Sequence, residues 1–122
     1  MSNIENTNTG SLYDLTMVRA VSGGDEGFIK KMVLLFVETV PPSVTDLKLA
    51  VEKEEWEQVG KLAHKLKSTV DSMGIVSLRD DIRSLETNGK NRLELPSIPP
   101  LAQKVSLQID AVIAQLKTDF SL

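Results

Sequence analysis

Apolar residues recur along this chain in steps of three and four. That spacing lays one hydrophobic stripe along a helix, because residues three and four apart share a face. Period-2 alternation rich in β-branched residues, the mark of a strand, is missing. The expected fold class is therefore all-α. A short first helix is predicted over residues 12–21, capped by Ser11 or Asp14, with Leu15, Val18, Leu12 and Tyr13 inward and Ser22-Gly23-Gly24 as its stop. Asp25 suits the N-cap of a second helix, Glu26 to about Val40. Phe28, Ile29, Met32, Val33, Leu35 and Phe36 make it apolar over more than half its circumference, so it should be the most buried helix or meet something outside the bundle. Pro41-Pro42 then interrupts, since proline lacks an N–H and disfavours helix in the residue before it. Proline also suits a first helical turn, so residues 42–54, with Val44, Leu47 and Val51 inward, read as a kinked continuation or as a separate helix.

The next helix, residues 56–73, carries its stripe at Trp56, Val59, Ala63, Leu66, Val70 and Met73, and Gly74 stands where a left-handed stop is needed. Ser77 caps the following helix, or Ile75 and Val76 run straight into it. It extends to about Thr87, with Leu78, Ile82 and Leu85 on its stripe and Asn88-Gly89 as its end. Residues 91–100 form a proline-rich loop, and a last helix spans about 100–119 with Leu101, Val105, Ile109, Val112, Ile113 and Leu116 inward. Four long amphipathic segments with mostly short connections predict an antiparallel up-down four-helix bundle with a short additional N-terminal helix. Residues 11–122 form this single domain, and residues 1–10, MSNIENTNTG, a disordered lead-in.

Composition narrows the function. An apolar fraction of 41% and a charged fraction of 25% over 122 residues are those of an ordinary globule. The absence of cysteine excludes disulfide and thiolate chemistry and fits a reducing compartment. A net charge of −3 without a basic block, and only five aromatic residues, argue against a nucleic-acid partner. No stretch approaches the ~18 apolar residues of a membrane span, and the polar start is no signal peptide, so a cytoplasmic location is expected.

His64 is the single histidine. At about 100° per residue it lies outside the apolar stripe, with Gly60, Lys61, Lys67, Ser68 and Asp71 around it on the helix surface. If the chain folds back at Gly74, Glu86, twelve positions beyond, returns to the level of His64. A carboxylate there would fix the imidazole tautomer and leave the other nitrogen facing out. Metal binding lacks a second histidine, a cysteine or a carboxylate cluster. Triad chemistry lacks a nucleophile elbow, and the Gly23-to-Gly27 run lacks the strand and lysine-serine ending of a phosphate cradle. An ordinary surface histidine among solubilising lysines is the bland alternative. A covalent carrier is the chemical one: a neutral ring with one exposed nitrogen and cations nearby, Lys67 first, Lys61 and Lys65 as lesser candidates, and space left by Gly60.

Ala63-His64-Lys65-Leu66-Lys67-Ser68-Thr69, followed by Met73-Gly74, resembles the signature of histidine-containing phosphotransfer (HPt) domains, which reads alanine-histidine-any-leucine-lysine-glycine-serine, with an apolar residue and a glycine nine and ten places after the histidine. The likeness extends over residues 12–86, and the last helix matches in pattern only. Ser68 is a departure, standing where the family usually has glycine. The resemblance implies a phosphocarrier in a multistep phosphorelay, in which His64 takes a phosphoryl group from a receiver-domain aspartate and hands it to another. Lys67 would neutralise the phosphohistidine, Ser68 would border it and Glu86 would lie close. The chain would hold no cofactor of its own, with Mg²⁺ on the receiver partner, and no kinase activity. Receiver domains of a hybrid sensor kinase or a response regulator would be its partners, and it would act as a monomer. Met17, Val18, Val21 and the exposed flank of the 28–40 helix either dock the receiver or merely close the bundle's end. Two rivals are a non-catalytic helical interaction module, as a degenerate relative of the family, and an isolated histidine-kinase dimerisation domain, which would want two long helices forming a dimer and an ATP-binding domain following, where this sequence ends at Leu122.

Overall fold

The computed structural model describes residues 11–122. Every regular element among them is helical: α1 Thr16–Ser22, α2 Glu26–Glu52, α3 Trp56–Ser72, α4 Val76–Asn91, a single 3₁₀ turn Leu95–Ser97 and α5 Ile98–Asp119. The expected lead-in over residues 1–10 lies outside the described residues. α3 packs along α4, α2 packs on both α3 and α5, α5 closes against α4, and α1 covers part of α2. Ile29, Leu47, Ile75, Leu78, Ile82, Leu85, Ile98, Ile109 and Leu116 are fully buried between them. Pairs across α3 and α4 (Gly60 with Gly89, Lys67 with Glu86, Asp71 with Arg83) climb one helix while descending the other, so these two helices are antiparallel. Ser77 with Gln108 and Asp81 with Lys104 give the same sense to α4 and α5.

Three predicted boundaries are corrected, at the start of the first helix, the end of α4 and the start of α5, and the alternatives at Pro41-Pro42 and Ser77 are decided. The first helix starts at Thr16 rather than residue 12, because Leu12, Tyr13 and Asp14 are bonded to α5 and to Met73 instead of forming a helical turn. The Leu12 N–H donates to Gln115 Oε1 (2.7 Å), the Tyr13 hydroxyl to Asp119 Oδ2 (2.5 Å) and the Asp14 N–H to the Met73 carbonyl (2.9 Å). The Asp14 carboxylate accepts from the Thr16 N–H (2.9 Å) and hydroxyl (2.6 Å), which holds its pKa below the usual carboxylate range. Of the two readings open at Pro41-Pro42, the continuation holds: α2 is a single 27-residue helix that runs through the pair. The buried stripe Val33, Phe36, Val40, Val44, Leu47 and Ala50 runs unbroken past the pair. Packing of that stripe outweighs the local penalty of about 3 kcal/mol for an interior proline. Asp25 caps α2 as predicted, accepting from the N–H groups of Gly27 (2.9 Å) and Phe28 (3.4 Å).

α4 begins at Val76 without a side-chain cap, and the Ser77 hydroxyl donates to Gln108 Oε1 (3.3 Å) instead of capping. The helix also continues past Thr87 to Asn91, so Gly89 is not its stop; Arg92, left-handed at φ 52°, is. α5 starts at Ile98, with Pro99 and Pro100 in the first turn where a missing N–H costs nothing, which shortens the expected loop. The inward sets are otherwise largely as predicted, with Leu62, Ala102 and Ser106 added and Leu35 turned outward.

Gly74 is left-handed at φ +62°, as its place after α3 predicts. It also lies under the N-terminal segment, since a Cβ there would meet the Asp14 carbonyl oxygen at 2.5 Å. Gly89 is buried for a related reason. A Cβ on it would sit 2.7 Å from the Gly60 nitrogen and 2.8 Å from the Trp56 carbonyl oxygen, while one on Gly60 would reach the Lys90 nitrogen at 2.9 Å. The backbones of α3 and α4 therefore approach as closely as glycine allows. Ordinarily Gly→Ala inside a helix gains about 1 kcal/mol. Here overpacking of about 1–3 kcal/mol against rigid backbone is expected to reverse that sign. Gly89→Ala should thus lower the urea midpoint, while Thr87→Ala on the exposed face leaves it nearly unchanged; a raised midpoint for Gly89→Ala would show that the crossing is loose.

Candidate functional site

The crossing of α3 over α4 positions a cluster of four side chains. His64 projects from the outer face of α3 with 64% of its side chain exposed, and Glu86 projects from α4 with 12% exposed. The imidazole Nδ1 and Glu86 Oε2 are 2.5 Å apart, and Lys67 Nζ donates to the other oxygen, Oε1, at 2.9 Å. Lys90 Nζ stands 4.0 Å from Oε2, one turn along α4. The hydrogen bond from Lys67, and after it that from His64, hold the Glu86 carboxyl below the usual glutamate pKa, against the opposing effect of burial. An ionised carboxylate only accepts, so Nδ1 must carry the proton it shares with Glu86. In the neutral ring Nε2 then holds the lone pair, and no group among the described residues bonds it. The arrangement is a nucleophilic nitrogen facing solvent, its ring fixed from behind by a shielded anion.

His64, Lys67 and Glu86 are therefore brought together as their spacing predicts. Ser68 is exposed on the same face, one turn from His64. Gly60 is corrected: it does not leave room beside the imidazole but is buried beneath α4, where a Cβ would lie 3.2 Å from the Glu86 carbonyl oxygen. Lys61 points away and pairs loosely with Glu57 at 3.7 Å, and Lys65 is exposed. Asp71 is engaged elsewhere on α4, by Arg83 through two bonds of 3.2 and 2.7 Å, which hold its carboxyl low. Lys90 was missed because the helix was predicted to end at Thr87. Its spacing of four from Glu86 was the available signal.

The expected docking residues divide. Val18 is buried at 5% and closes the core, whereas Met17 and Val21 are exposed, Val21 at 76%. A cleft of about 160 Å³ is lined by Val18 of α1, by Met32, Leu35, Phe36 and Thr39 of α2 and by Ser68 and Ser72 of α3. Among the described residues no helix is long and apolar enough to cross a membrane.

The model of the Hpt domain family matches residues 31–119, from the first turns of α2 to the end of α5. The chain belongs to the Hpt domain family. Hpt domains are phosphotransfer carriers that work with receiver domains in phosphorelays. No curated protein and no solved structure matches the chain.

The depressed pKa of Glu86 sets a pH dependence. A carboxyl whose folded pKa is below its unfolded value, about 4.3, contributes stability that is present above that value and lost as pH falls through the folded one. The stability difference between the wild type and Glu86→Gln should accordingly shrink as pH is lowered from about 6 to about 3. Urea unfolding across that range checks it; a difference independent of pH would mean that Glu86 is not ionised in the cluster.

Proposed function

We propose that this chain is a histidine phosphotransfer carrier in a multistep two-component phosphorelay, with His64 as the residue that is phosphorylated. The observation that carries the proposal is the exposed imidazole whose Nδ1 is bonded to Glu86 and whose Nε2 is open. In the transfer, the Nε2 lone pair attacks phosphorus in the aspartyl phosphate of a donor receiver domain. The N–P bond forms as the P–O bond to the aspartate breaks, and the carboxylate leaves with the electron pair. The proton stays on Nδ1, so the ring becomes cationic, and Glu86 opposes that charge. A second receiver's aspartate then reverses the step, returning the electron pair to Nε2. Lys67, held by Glu86 on the same face, offsets the charge of the arriving phosphoryl group. Phosphoryl transfer depends mainly on such positioning and neutralisation.

The chain contributes the nucleophile and a rigid platform. The acceptor aspartate and Mg²⁺ belong to the receiver, so we assign the protein no resident cofactor and no kinase activity of its own. The receivers are those of a hybrid sensor kinase or a response regulator, docking over Met17, Val21 and Leu35, which are apolar and exposed, Leu35 lining the same cleft as Ser68. We further take residues 11–122 as one domain, with α2 to α5 as an antiparallel up-down four-helix bundle, acting as a cytoplasmic monomer without nucleic-acid or membrane contacts. The antiparallel pairings of α3 with α4 and of α4 with α5 support that arrangement.

Incubation with a phosphorylated receiver domain and Mg²⁺ is expected to place an acid-labile, alkali-stable label on the wild type and none on His64→Gln. Lys67→Ala should acquire the label about tenfold more slowly or worse, as for loss of one preorganised cationic donor. A wild type that takes no label from any of a panel of receivers would leave a helical interaction module as the better description.

A further inference from the structure

Resting on the carrier assignment, we propose that Ser68 is a positioning residue for the phosphorylated state: its hydroxyl donates a hydrogen bond to a phosphoryl oxygen on Nε2 of His64 and biases the phosphoryl group towards this chain. Residues four apart on a helix have Cβ atoms about 5–6 Å from each other. Helical side chains tilt towards the N-terminus, so Ser68 leans back over the turn that bears His64. Three other helical hydroxyls are turned inward onto the backbone carbonyl four residues earlier: Ser72 onto Ser68 (2.8 Å), Thr39 onto Leu35 (2.7 Å) and Ser43 onto Thr39 (3.3 Å). The Ser68 hydroxyl makes no such bond to the His64 carbonyl, and no group among the described residues accepts its proton. It is an exposed donor left available beside the nucleophile.

Its position complements that of Lys67. Glu86 holds the Nδ1 edge of the ring and the Lys67 ammonium on the α4 side. Ser68 lines the cleft on the opposite flank, towards Met32, Leu35 and Phe36 of α2. A phosphoryl group on Nε2 would so be met by a cation on one side and by a neutral donor on the other. Serine suits a helix better than the glycine usual here, but alanine would serve helix stability better still, so stability does not account for the hydroxyl.

A hydrogen bond made only to the phosphorylated form shifts the equilibrium of transfer, whereas bulk at the entrance changes forward and reverse rates together. The test mixes each variant with phosphorylated receiver and Mg²⁺ and measures the ratio of phosphohistidine to phosphoaspartate at equilibrium. Ser68→Ala and Ser68→Gly are expected to lower that ratio about three- to tenfold, as for loss of one hydrogen bond to a charged group at an exposed site. Ser68→Thr, which keeps the hydroxyl, should stay near the wild-type ratio while reaching it more slowly. Equal ratios for the wild type and Ser68→Ala would overturn the role of Ser68 and leave the carrier assignment standing. A wild type that takes no phosphoryl group would overturn both.

Discussion

Glycine faces glycine where α3 crosses α4, and the cluster around His64 depends on that contact. With a Cβ at either position, backbone atoms would be forced within 2.7–2.9 Å of it, and the helices would have to separate. Glu86 reaches both His64 (2.5 Å) and Lys67 (2.9 Å) across this crossing. Hydrogen bonds weaken steeply with distance and misalignment, so widening the crossing by about an ångström would forfeit at least one of them. Two residues with no side chain thereby hold the bonded edge and the aim of the imidazole to which the proposed transfer is assigned. Burial of Glu86 adds to the effect, because a carboxylate with little access to water favours ionic partners over solvent.

The N-terminal segment plays a comparable part at one end of the bundle. Residues 12–14 are bolted to α5 through Gln115 and Asp119 and to the end of α3 through Met73, with Asp14 seated over Gly74. Burial, and next the bond to Asp119, push the Tyr13 hydroxyl far above its ordinary pKa, so it stays a protonated donor throughout the usual pH range. This clasp fixes where α1 begins, and hence where Met17 and Val21 are displayed. Gly74 serves both the turn between α3 and α4 and the seat of the clasp.

Much of this was legible from residue order. Three-and-four spacing defined the inward faces, Asp25 announced the start of α2, and counting twelve residues beyond Gly74 brought Glu86 to His64. What escaped prediction depends on tertiary contact. Pro41-Pro42 reads locally as either a break or a continuation, and only the buried stripe on both sides decides for one helix. Asn88-Gly89 carries the local chemistry of a helix end, but Gly89 is there for close approach to Gly60, and mistaking it for a stop hid Lys90. Residues 12–15 have a helical pattern that loses to hydrogen bonds with partners some sixty to a hundred positions away in the chain. Gly60 was identified as important for its smallness, with the wrong neighbour in view.

The proposed chemistry rests on one asymmetry within the imidazole: among the described residues Nδ1 has a partner and Nε2 has none. Glu86 makes the two nitrogens different, Lys67 and Ser68 stand one turn along the same helix, and the rest of the fold holds these groups in register. The most direct measurement is the site of the N–P bond in the phosphorylated protein, read from phosphorus–nitrogen couplings by NMR on chain labelled with ¹⁵N at His64. Phosphorus bonded to Nε2, with a proton retained on Nδ1, is the predicted result. Phosphorus on Nδ1, or on a residue other than His64, would contradict it.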